Sequence, residues 1–209
     1  MVLAAEALGC VRGERTVFRD LSFRLDAGEA LVLRGPNGAG KSSLLRLVAT
    51  FLKPAAGRLS WDGVEVWDDL EAYRRRLGYV GHLDAVKPLL TVAENVRFWS
   101  RLRGEAPGGD DAVEAALSAF AVGHLAEVPA ALLSAGQRKR TALARLAAVP
   151  AALWLLDEPG VSLDDEGLDC LAAAVRRQRE RGGMVIAATH HDLDIADATT
   201  LRLGPEAAR

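Results

Sequence analysis

The sequence predicts an α/β fold of the P-loop NTPase type, in which a mainly parallel core sheet is joined by an N-terminal antiparallel β layer and a helical subdomain. Three observations predict it: strand-like alternation in the first third, an alanine-rich helical pattern in the middle, and short apolar runs alternating with helices toward the end. The chain has 209 residues, of which 50% are hydrophobic, which suits one domain. We therefore expect a single domain over residues 1–209, with a helical subdomain at about 89–140.

Two segments in the first third show the period of a half-buried strand. Every second side chain is apolar over residues 20–26, and residues 58–66 alternate in the same way around Asp62-Gly63. This dipeptide readily adopts the positive φ angles of a tight hairpin turn. The pattern therefore predicts antiparallel strands before and after the first helix.

The remaining elements follow from short apolar runs and from helical spacing. In chain order we expect a strand at 30–33, a helix at 42–52, helical structure over 89–133 with a loop at 104–109, a helix ending before Pro150, a strand at 153–156, a helix at 168–181 and a strand at 184–188. Strands that alternate with helices favour a parallel sheet covered on both faces.

Composition excludes several classes of protein. With 26 basic and 28 acidic side chains the formal charge is −2, so no global positive field attracts nucleic acid or an anionic membrane. No apolar run reaches the length of a membrane span, and the N-terminal residues lack the pattern of a secretory signal. Cys10 and Cys170 stand without metal-binding spacing, so we expect two small buried side chains in a reducing cytoplasm.

The segment Gly35-Pro-Asn-Gly-Ala-Gly-Lys-Ser42 matches G-x-x-x-x-G-K-[ST] directly after a predicted strand and at the start of a predicted helix. Its glycines let several backbone N–H groups point inward, and the helix N-terminus adds positive potential. Lys41 would reach the β and γ phosphates, and the Ser42 hydroxyl can ligate Mg²⁺. The alternative is a glycine-rich turn with a chance lysine. The predicted nucleotide-binding residues are Gly35, Pro36, Asn37, Gly38, Ala39, Gly40, Lys41, Ser42 and Ser43.

A second signal is Leu153-Trp-Leu-Leu-Asp-Glu-Pro159, an apolar strand that ends in two carboxylates. Open α/β sheets bind their ligands at this end of the strands. Asp157 suits the shell of Mg²⁺, and Glu158 can accept a proton from the water that attacks a γ-phosphate. The alternative is a strand that leaves the core through ordinary surface acids.

The segment Leu133-Ser-Ala-Gly-Gln137 closely resembles the LSGGQ signature of ABC-type ATPases. That resemblance implies that the chain binds ATP together with Mg²⁺. It also implies a homodimer in which the start of this helix contacts the γ-phosphate that is bound by the opposite subunit. The alternative is a serine-capped helix with the basic residues 138–140 solvated on its surface. The signature residues predicted to act across the dimer are Ser134, Ala135, Gly136 and Gln137.

The resemblance to ABC ATPases directs attention to two later segments. Ser162-Leu-Asp164 follows the acidic pair as a D-loop does, which singles out Ser162 and Asp164. Residues 187–192 leave a buried strand as a switch-histidine segment does, and the Thr-His pattern favours His190 over His191. The alternative is a surface histidine pair. The catalytic residues that the resemblance implies are Glu158, His190 and Lys41.

Two positions depart from the ABC pattern. Most members place a metal-contacting glutamine after the strand around residues 77–80, where this sequence has His82. An imidazole could still accept a hydrogen bond from a metal-bound water, or His82 could be a plain loop residue. The expected adenine-stacking tyrosine falls on or near Arg12, whose guanidinium could stack on a base or lie solvated.

The segment that contains His82 resembles the corresponding segment of the CcmA family. Members of this family are the ATP-binding subunits of the haem-export machinery for cytochrome c maturation. The similarity lies in residues 79–98, 133–137, 141–146 and 182–186. It implies an ATPase subunit that powers haem export or haem release, bound to integral membrane permease subunits at the cytoplasmic face of the inner membrane. A permease coupling helix would then dock near residues 82–98.

Three other functions compete with this interpretation. The chain could serve another ABC exporter, or it could be an ABC ATPase that acts on nucleic acid through the basic residues 74–76, 138–140 and 176–181. We interpret those residues as solvated helix faces and expect no nucleic-acid partner, because the net charge is −2. A P-loop kinase or GTPase is disfavoured by the signature and by the absence of an N-K-x-D motif.

Overall fold

The computed structural model describes residues 1–102, 109–190, 193 and 195–204. Within this part of the chain the strands are β1 (Val2–Arg12), β2 (Arg15–Asp26), β3 (Ala30–Arg34), β4 (Ala56–Trp61), β5 (Val64–Glu65), β6 (Leu77–Val80), β7 (Leu153–Asp157), β8 (Met184–Ala188) and β9 (Thr199–Arg202). The helices are α1 (Lys41–Val48), α2 (Leu70–Arg75), α3 (Val92–Leu102), α4 (Gly109–Ala119), α5 (Ala135–Ala148) and α6 (Asp165–Glu180), with 3-10 turns at Gly123–Leu125 and Ala130–Leu132. The predicted α/β fold is confirmed.

The N-terminal layer is an antiparallel sheet of strand order β2-β1-β4-β5. In β2, Leu21 and Leu25 are buried while Arg24 between them is exposed, as the alternating pattern predicts. Asp62 and Gly63 join β4 to β5 with φ angles of 51° and 84°, which is the backbone geometry of a tight hairpin turn.

The core sheet has the strand order β6-β7-β8-β3-β9, and all of its pairs are parallel. Every residue of β7 and β8 is buried, because successive side chains point to opposite faces and both faces are covered. On β7, Leu155 packs in a core with the antiparallel layer and α1, whereas Leu156 packs in a second core with α3, α4, α5 and α6.

The parallel arrangement brings three predicted segments to one edge. Ala188 pairs with Leu33 of β3 on one side and with Asp157 of β7 on the other, so these strands end together. The glycine-rich loop follows β3, Glu158 follows β7, and His190 lies two residues beyond β8. Strand order therefore places the predicted site at the carboxyl edge of the sheet.

Three helix predictions need correction in their bounds. The helix predicted at 42–52 ends at Val48, because Thr50 takes a left-handed φ of 60° and the Val48 carbonyl accepts a hydrogen bond from the Tyr73 hydroxyl at 3.0 Å. The helix predicted at 168–181 begins at Asp165, since the Asp164 side chain caps it by accepting from the Gly167 N–H at 3.1 Å. The predicted helical stretch 89–133 divides into α3, α4 and the two 3-10 turns; residues 104–108 of its predicted loop lie outside the described residues.

Other features were only partly foreseen. The sequence pattern did not single out α2 or β9. The four residues of β9 are mostly exposed, so they show no alternating pattern. Both cysteines are free thiols; Cys10 is buried as predicted, whereas Cys170 is only half-buried. Within the ranges that the structure describes, no helix combines the length and the apolar character needed to cross a membrane.

Candidate functional site

The glycine-rich loop joins β3 to α1 and leaves the first turn of the helix open. The first helical hydrogen bond runs from the Leu44 N–H to the Gly40 carbonyl at 2.8 Å, so the N–H groups of Lys41, Ser42 and Ser43 have no partner inside the helix. Gly40 has φ 102°, and a Cβ there would lie 2.5 Å from Val17 Cγ1. Only glycine fits at this position, and the resulting helix start is suited to an anion.

Lys41 is the first residue of α1 and is 7% exposed. Its Nζ donates to the carbonyl oxygens of Gly35 and Pro36 at 2.7 and 3.2 Å. Pro36, Asn37 and Gly38 at the tip of the loop are exposed, whereas Ala39 packs beside the first core. The ammonium group is thus held inside the curl of the loop by carbonyls that stronger phosphate acceptors could replace.

Ser42 and Asp157 form a pair of oxygen donors beside the loop. The Ser42 hydroxyl donates to Asp157 Oδ1 at 2.9 Å. Asp157 is 2% exposed, and its Oδ2 is buried without a hydrogen-bond partner among the described residues. A buried carboxylate oxygen without a partner is costly. Hydroxyl and carboxylate oxygens are the ligands that Mg²⁺ prefers, so these two residues fit the predicted metal ion.

Glu158 follows β7 in a strained backbone conformation that aims its carboxylate at His190. Its φ is 47°, a left-handed value that a non-glycine residue adopts at a cost of about 1–3 kcal/mol. The Glu158 N–H donates to the Ala188 carbonyl at 2.8 Å, and Oε2 accepts from the backbone N–H of His190 at 3.3 Å. The turn after β7 is therefore tied to the turn after β8.

The His190 ring lies between Lys41 and Glu158. Its Nε2 is 3.0 Å from Lys41 Nζ and 3.5 Å from Glu158 Oε1. Because an ammonium group has no lone pair, Lys41 must donate and Nε2 must accept, so in this arrangement Nε2 carries no proton. The longer contact with Glu158 is then not a hydrogen bond. Three side chains from three separate elements converge here, as the resemblance to ABC ATPases implies; His191 and Asp192 lie outside the described residues.

The signature segment begins α5 with a reciprocal cap. The Ser134 hydroxyl accepts from the Gln137 N–H at 3.1 Å, and Gln137 Oε1 accepts from the Ser134 N–H at 2.9 Å. Ser134 and Ala135 are exposed, so this helix start faces outward. A Cβ at Gly136 would lie 2.8 Å from the carbonyl oxygen of Ser162, so glycine is needed for the signature to pack against the predicted D-loop.

Arg140 links the signature helix to the D-loop in the same chain. It is 6% exposed and forms ion pairs with Asp164 and, at 2.8 Å, with Glu166. The hydrogen bond from Arg140 lowers the pKa of Asp164 below its ordinary value. Ser162, which has a φ of 70°, is exposed beside the signature. Asp164 is thus both a helix cap and the partner of a buried guanidinium.

The interpretation of the basic residues 138–140 as a solvated helix face is wrong for two of the three. Lys139 is 4% exposed and its Nζ lies 2.9 Å from Asp84 Oδ1, while Arg140 is buried with the acids described above. Arg138 is half-buried and donates to the Leu133 carbonyl. Acids more than twenty residues away pair with Lys139 and Arg140, so these two side chains are not available as a phosphate-binding surface.

The two positions that depart from the ABC pattern are both exposed. His82 is exposed in the segment after β6, and Arg12 is exposed at the end of β1. Neither side chain makes a hydrogen bond or ion pair with another residue that the structure describes. Their predicted contacts with Mg²⁺ and adenine therefore stay predictions.

The described site residues form two groups. At the carboxyl edge of the sheet, hydrogen bonds join Lys41 to His190 and His190 to Glu158, and a separate hydrogen bond joins Ser42 to Asp157. Ser134, Gly136, Ser162 and Asp164 line an outward-facing cavity of about 340 Å³. No hydrogen bond or ion pair between described residues joins one group to the other.

Sequence reasoning missed two residues that hold the site. Arg140 and Asp84 complete buried ion pairs whose partners are distant in the chain. The one sequence signal for these ion pairs is the run of basic residues after the signature. Basic side chains on a buried helix face need acidic partners.

Comparisons with known proteins agree with the geometry. The sequence matches the ABC transporter family over residues 18–161. The cytochrome c biogenesis ATP-binding export protein CcmA of Rhodospirillum rubrum is 54% identical, over 97% of this chain and 85% of that protein. The protein of the same name from Paramagnetospirillum magneticum is 52% identical, over 96% of this chain and 93% of that protein.

Solved structures show the same fold. An ATP-binding subunit of an ABC transporter superposes with a TM-score of 0.87 at 23% identity, covering 97% of this chain and 86% of that chain. A dimeric ATP-binding cassette in a post-hydrolysis state, bound to ADP and Pi, superposes with a TM-score of 0.82 at 26% identity, covering 96% of this chain and 94% of that chain.

Fold and site together define the ATP-binding domain of an ABC transporter, an enzyme that binds and hydrolyses ATP. Within that class the chain belongs to the CcmA family of cytochrome c biogenesis ATP-binding export proteins.

Proposed function

We propose that this chain is the ATP-hydrolysing subunit of a haem-export complex for the maturation of c-type cytochromes, bound to integral membrane permease subunits at the cytoplasmic face of the inner membrane. The observation that carries the hydrolytic part is the convergence of Lys41, Glu158 and His190 beside the open start of α1. The export part rests on membership of the CcmA family.

Binding of ATP uses groups that are already in place. The free N–H groups at the start of α1 and the Lys41 ammonium meet the β and γ phosphates, and the carbonyls of Gly35 and Pro36 release Lys41 to them. The site therefore needs little reorganisation before the phosphates enter, which favours tight binding.

Hydrolysis requires a base and a group that orients water. In this proposal Glu158 accepts a proton from the water that attacks the γ-phosphate, which breaks the bond to the leaving ADP oxygen. His190, anchored through its backbone N–H to Glu158, contacts the γ-phosphate and keeps that water in line. The strained turn at Glu158 holds its carboxylate at the end of β7, where the water attacks in this proposal.

Ser42 and Asp157 would hold Mg²⁺, since the buried Asp157 Oδ2 lacks a partner among the described residues and the Ser42 hydroxyl lies against the other oxygen. When bound, the ion neutralises phosphate charge and polarises the γ-phosphate. The hydrogen bond between the two side chains keeps them oriented for that role.

A second copy of the chain completes the site in this proposal. The exposed signature of one subunit meets the γ-phosphate bound by the other, because its cap leaves backbone N–H groups at the start of α5 free for an anion. The dimeric cassette that resembles this chain supports such pairing. Arg140 then ties the D-loop to the signature within each subunit.

The permease would contact the surface between α3 and the core sheet. An apolar groove of about 330 Å³, lined by Tyr79, Leu83, Trp99 and Arg145 among others, lies next to His82. Leu83 in its lining is 82% exposed, and Leu89, six residues further along the chain, is 94% exposed. Such a groove suits a short coupling helix with an apolar face.

The decisive test is the Glu158→Gln variant. We expect ATP binding to be retained while hydrolysis slows by about 10²–10⁴-fold, the usual contribution of a positioned general base. In a Rhodospirillum rubrum strain that lacks its own CcmA, the unaltered chain should restore c-type cytochromes and the variant should not. Near-normal turnover of the variant would refute the catalytic assignment. Normal ATPase activity of the unaltered chain without any rescue would instead indicate another ABC exporter.

A further inference from the structure

We propose that the edge of the molecule opposite the nucleotide site carries a binding site for a small carboxylic acid with an apolar body. The site is a cleft of about 590 Å³, which we call the alanine cleft and define by Ala116, Ala147, Ala151, Trp154, Arg177 and Arg181. Its volume lies within the range of small-molecule sites in proteins.

The alanine cleft lies at the amino edge of the core sheet. Arg76, Ala152 and Gly183 all line it, and each directly precedes one of the strands β6, β7 and β8. The phosphate-binding loop and Glu158 lie at the carboxyl edge of the same parallel sheet. The cleft is therefore separate from the site that binds ATP.

Small apolar side chains form its walls. Ala116 of α4 and Trp154 of β7 are buried, and Ala147 at the end of α5 is exposed beside them. Because alanine side chains are short, the helices leave an open volume between them that no described side chain fills. Apolar walls of this kind favour a ligand with an apolar body.

The charge on the cleft has a single sign. Arg75, Arg76, Arg177 and Arg181 line it, and none of its described lining residues is acidic. Arg75 is paired with Glu71, and Arg76 stacks over the ring of Trp61 at 5.3 Å. In the ranges that the structure describes, Arg177 and Arg181 form no side-chain hydrogen bond or ion pair.

Arg177 and Arg181 are four residues apart, on one face at the end of α6. Two such guanidinium groups can bind a carboxylate through paired hydrogen bonds. The Trp154 indole Nε1 in the wall is buried and has no acceptor among the described residues. A carboxylate bound by the two arginines at the rim would leave its apolar body against the indole ring of Trp154 in the wall. Apolar walls and a cationic rim together select an organic acid over a nucleotide.

Binding is tested by calorimetry with decanoate, using decan-1-ol and decyltrimethylammonium as neutral and cationic probes of the same length. We expect one saturable decanoate site, with both other probes at least about tenfold weaker. The double variant Arg177→Gln/Arg181→Gln should weaken decanoate binding about tenfold. Arg176→Gln is the matched control, because Arg176 is exposed on the same helix outside the cleft and should leave the affinity unchanged.

The location is tested by fluorescence with 11-bromoundecanoate, whose bromine quenches an indole that it contacts. We expect quenching that Trp154→Phe removes, while calorimetry shows that this variant still binds decanoate. Ala147→Phe, at an exposed position in the wall, should fill the cleft and weaken binding about tenfold. Lys41→Ala should bind decanoate like the unaltered chain, so the test does not depend on nucleotide binding.

Several results would overturn the proposal. Equal affinity for decanoate and decan-1-ol would show that the arginines do not select for a carboxylate. If Arg176→Gln bound decanoate as weakly as the double variant, the effect would come from the loss of positive charge in general and not from the cleft. Displacement of decanoate by ATP would assign the anion to the phosphate loop. Binding to phosphatidylglycerol vesicles without binding of monomeric decanoate would make the face a membrane contact.

Discussion

At the scale of single residues, the site depends on side chains held in one geometry by the backbone around them. Glu158 takes a left-handed φ of 47°, and its carboxylate accepts from the His190 N–H. Lys41 bridges the loop carbonyls and the His190 ring. Each group is therefore in position before any ligand binds, which is the arrangement that makes electrostatic stabilisation effective.

Lys41→Ala tests the phosphate loop. We expect the dissociation constant for ATP to rise about 10- to 100-fold, because the β and γ phosphates lose a charge-assisted partner. Equilibrium binding of a fluorescent ATP analogue measures the effect. Lys53→Ala, at an exposed lysine outside the loop, is the matched control and should bind like the unaltered chain. Unchanged affinity in Lys41→Ala would count against the loop assignment.

At the scale of elements, the ends of helices carry the remaining chemistry. α1 begins with free N–H groups beside the loop, α5 begins directly after the signature cap Ser134, and α6 begins directly after its cap Asp164 in the D-loop. Arg140 connects the last two, and the Lys139–Asp84 pair connects α5 to the segment that holds His82. α5 is thus fixed both to the D-loop and to the segment that holds His82.

Gly136→Ala tests the packing of the signature on the D-loop. A Cβ there would lie 2.8 Å from the Ser162 carbonyl, so one of the two segments must shift. Overpacking costs about 1–3 kcal/mol, which cancels or exceeds the gain of about 1 kcal/mol in helix propensity. We expect no stabilisation in thermal unfolding and hydrolysis slowed about 10- to 100-fold, since small misplacements have large catalytic effects.

The control for this variant is Gly123→Ala. The nearest atom to a Cβ at Gly123 is the Ser118 backbone N at 3.9 Å, so the added methyl group fits. Hydrolysis should stay near that of the unaltered chain. If Gly136→Ala were equally active, the contact between signature and D-loop would have no catalytic importance.

Lys139→Met tests the buried ion pair under α5. The Lys139 side chain is 5% exposed and the Asp84 side chain is 25% exposed. Removing one partner of a fully buried pair costs about 3–5 kcal/mol, and the partial hydration of Asp84 should reduce this to about 2 kcal/mol. Urea unfolding measures the loss. Glu71→Gln, which breaks an exposed pair with Arg75, should change the free energy of unfolding by less than about 0.5 kcal/mol.

The double variant Lys139→Met/Asp84→Asn gives the interaction energy between the two side chains. We expect it to recover most of the loss, because no uncompensated charge stays buried. An additive double variant would mean that the pair does not interact.

At the scale of the whole molecule, two apolar cores lie on the two faces of one parallel sheet. β7 contributes alternate residues to each, with Leu155 on one face and Leu156 on the other. The sheet carries the phosphate loop, the acidic pair and His190 at one edge, whereas the signature faces outward from the helical side. Under the proposed function each chain supplies two half-sites, and pairing with a second copy would complete both.

Glu158→Gln in the presence of ATP and Mg²⁺ tests this pairing. We expect the molecular mass in light scattering to rise from 22.3 kDa to about twice that value, because the nucleotide then stays trapped between the two subunits. Adding Lys41→Ala to the same chain should keep it monomeric. A Glu158→Gln variant that stays monomeric at saturating ATP would contradict the shared-site proposal.

The sequence by itself determined the order of the main elements and the segments that carry the chemistry. Alternation fixed the hairpin at Asp62-Gly63, and the apolar run of β7 fixed where Asp157 and Glu158 leave the core. These features are local, since side-chain periodicity and turn geometry depend on neighbouring residues.

The tertiary structure alone decided which residues meet across the chain. It buried Lys139 and Arg140 against acids that the sequence places far away, ended α1 at Val48 through a hydroxyl from α2, and set the His190 ring against Lys41. It also opened the alanine cleft between elements that are separate in the chain. The reason is physical: the burial of a charge, and the space left between helices, depend on packing between distant segments and leave no periodic signal in any one of them.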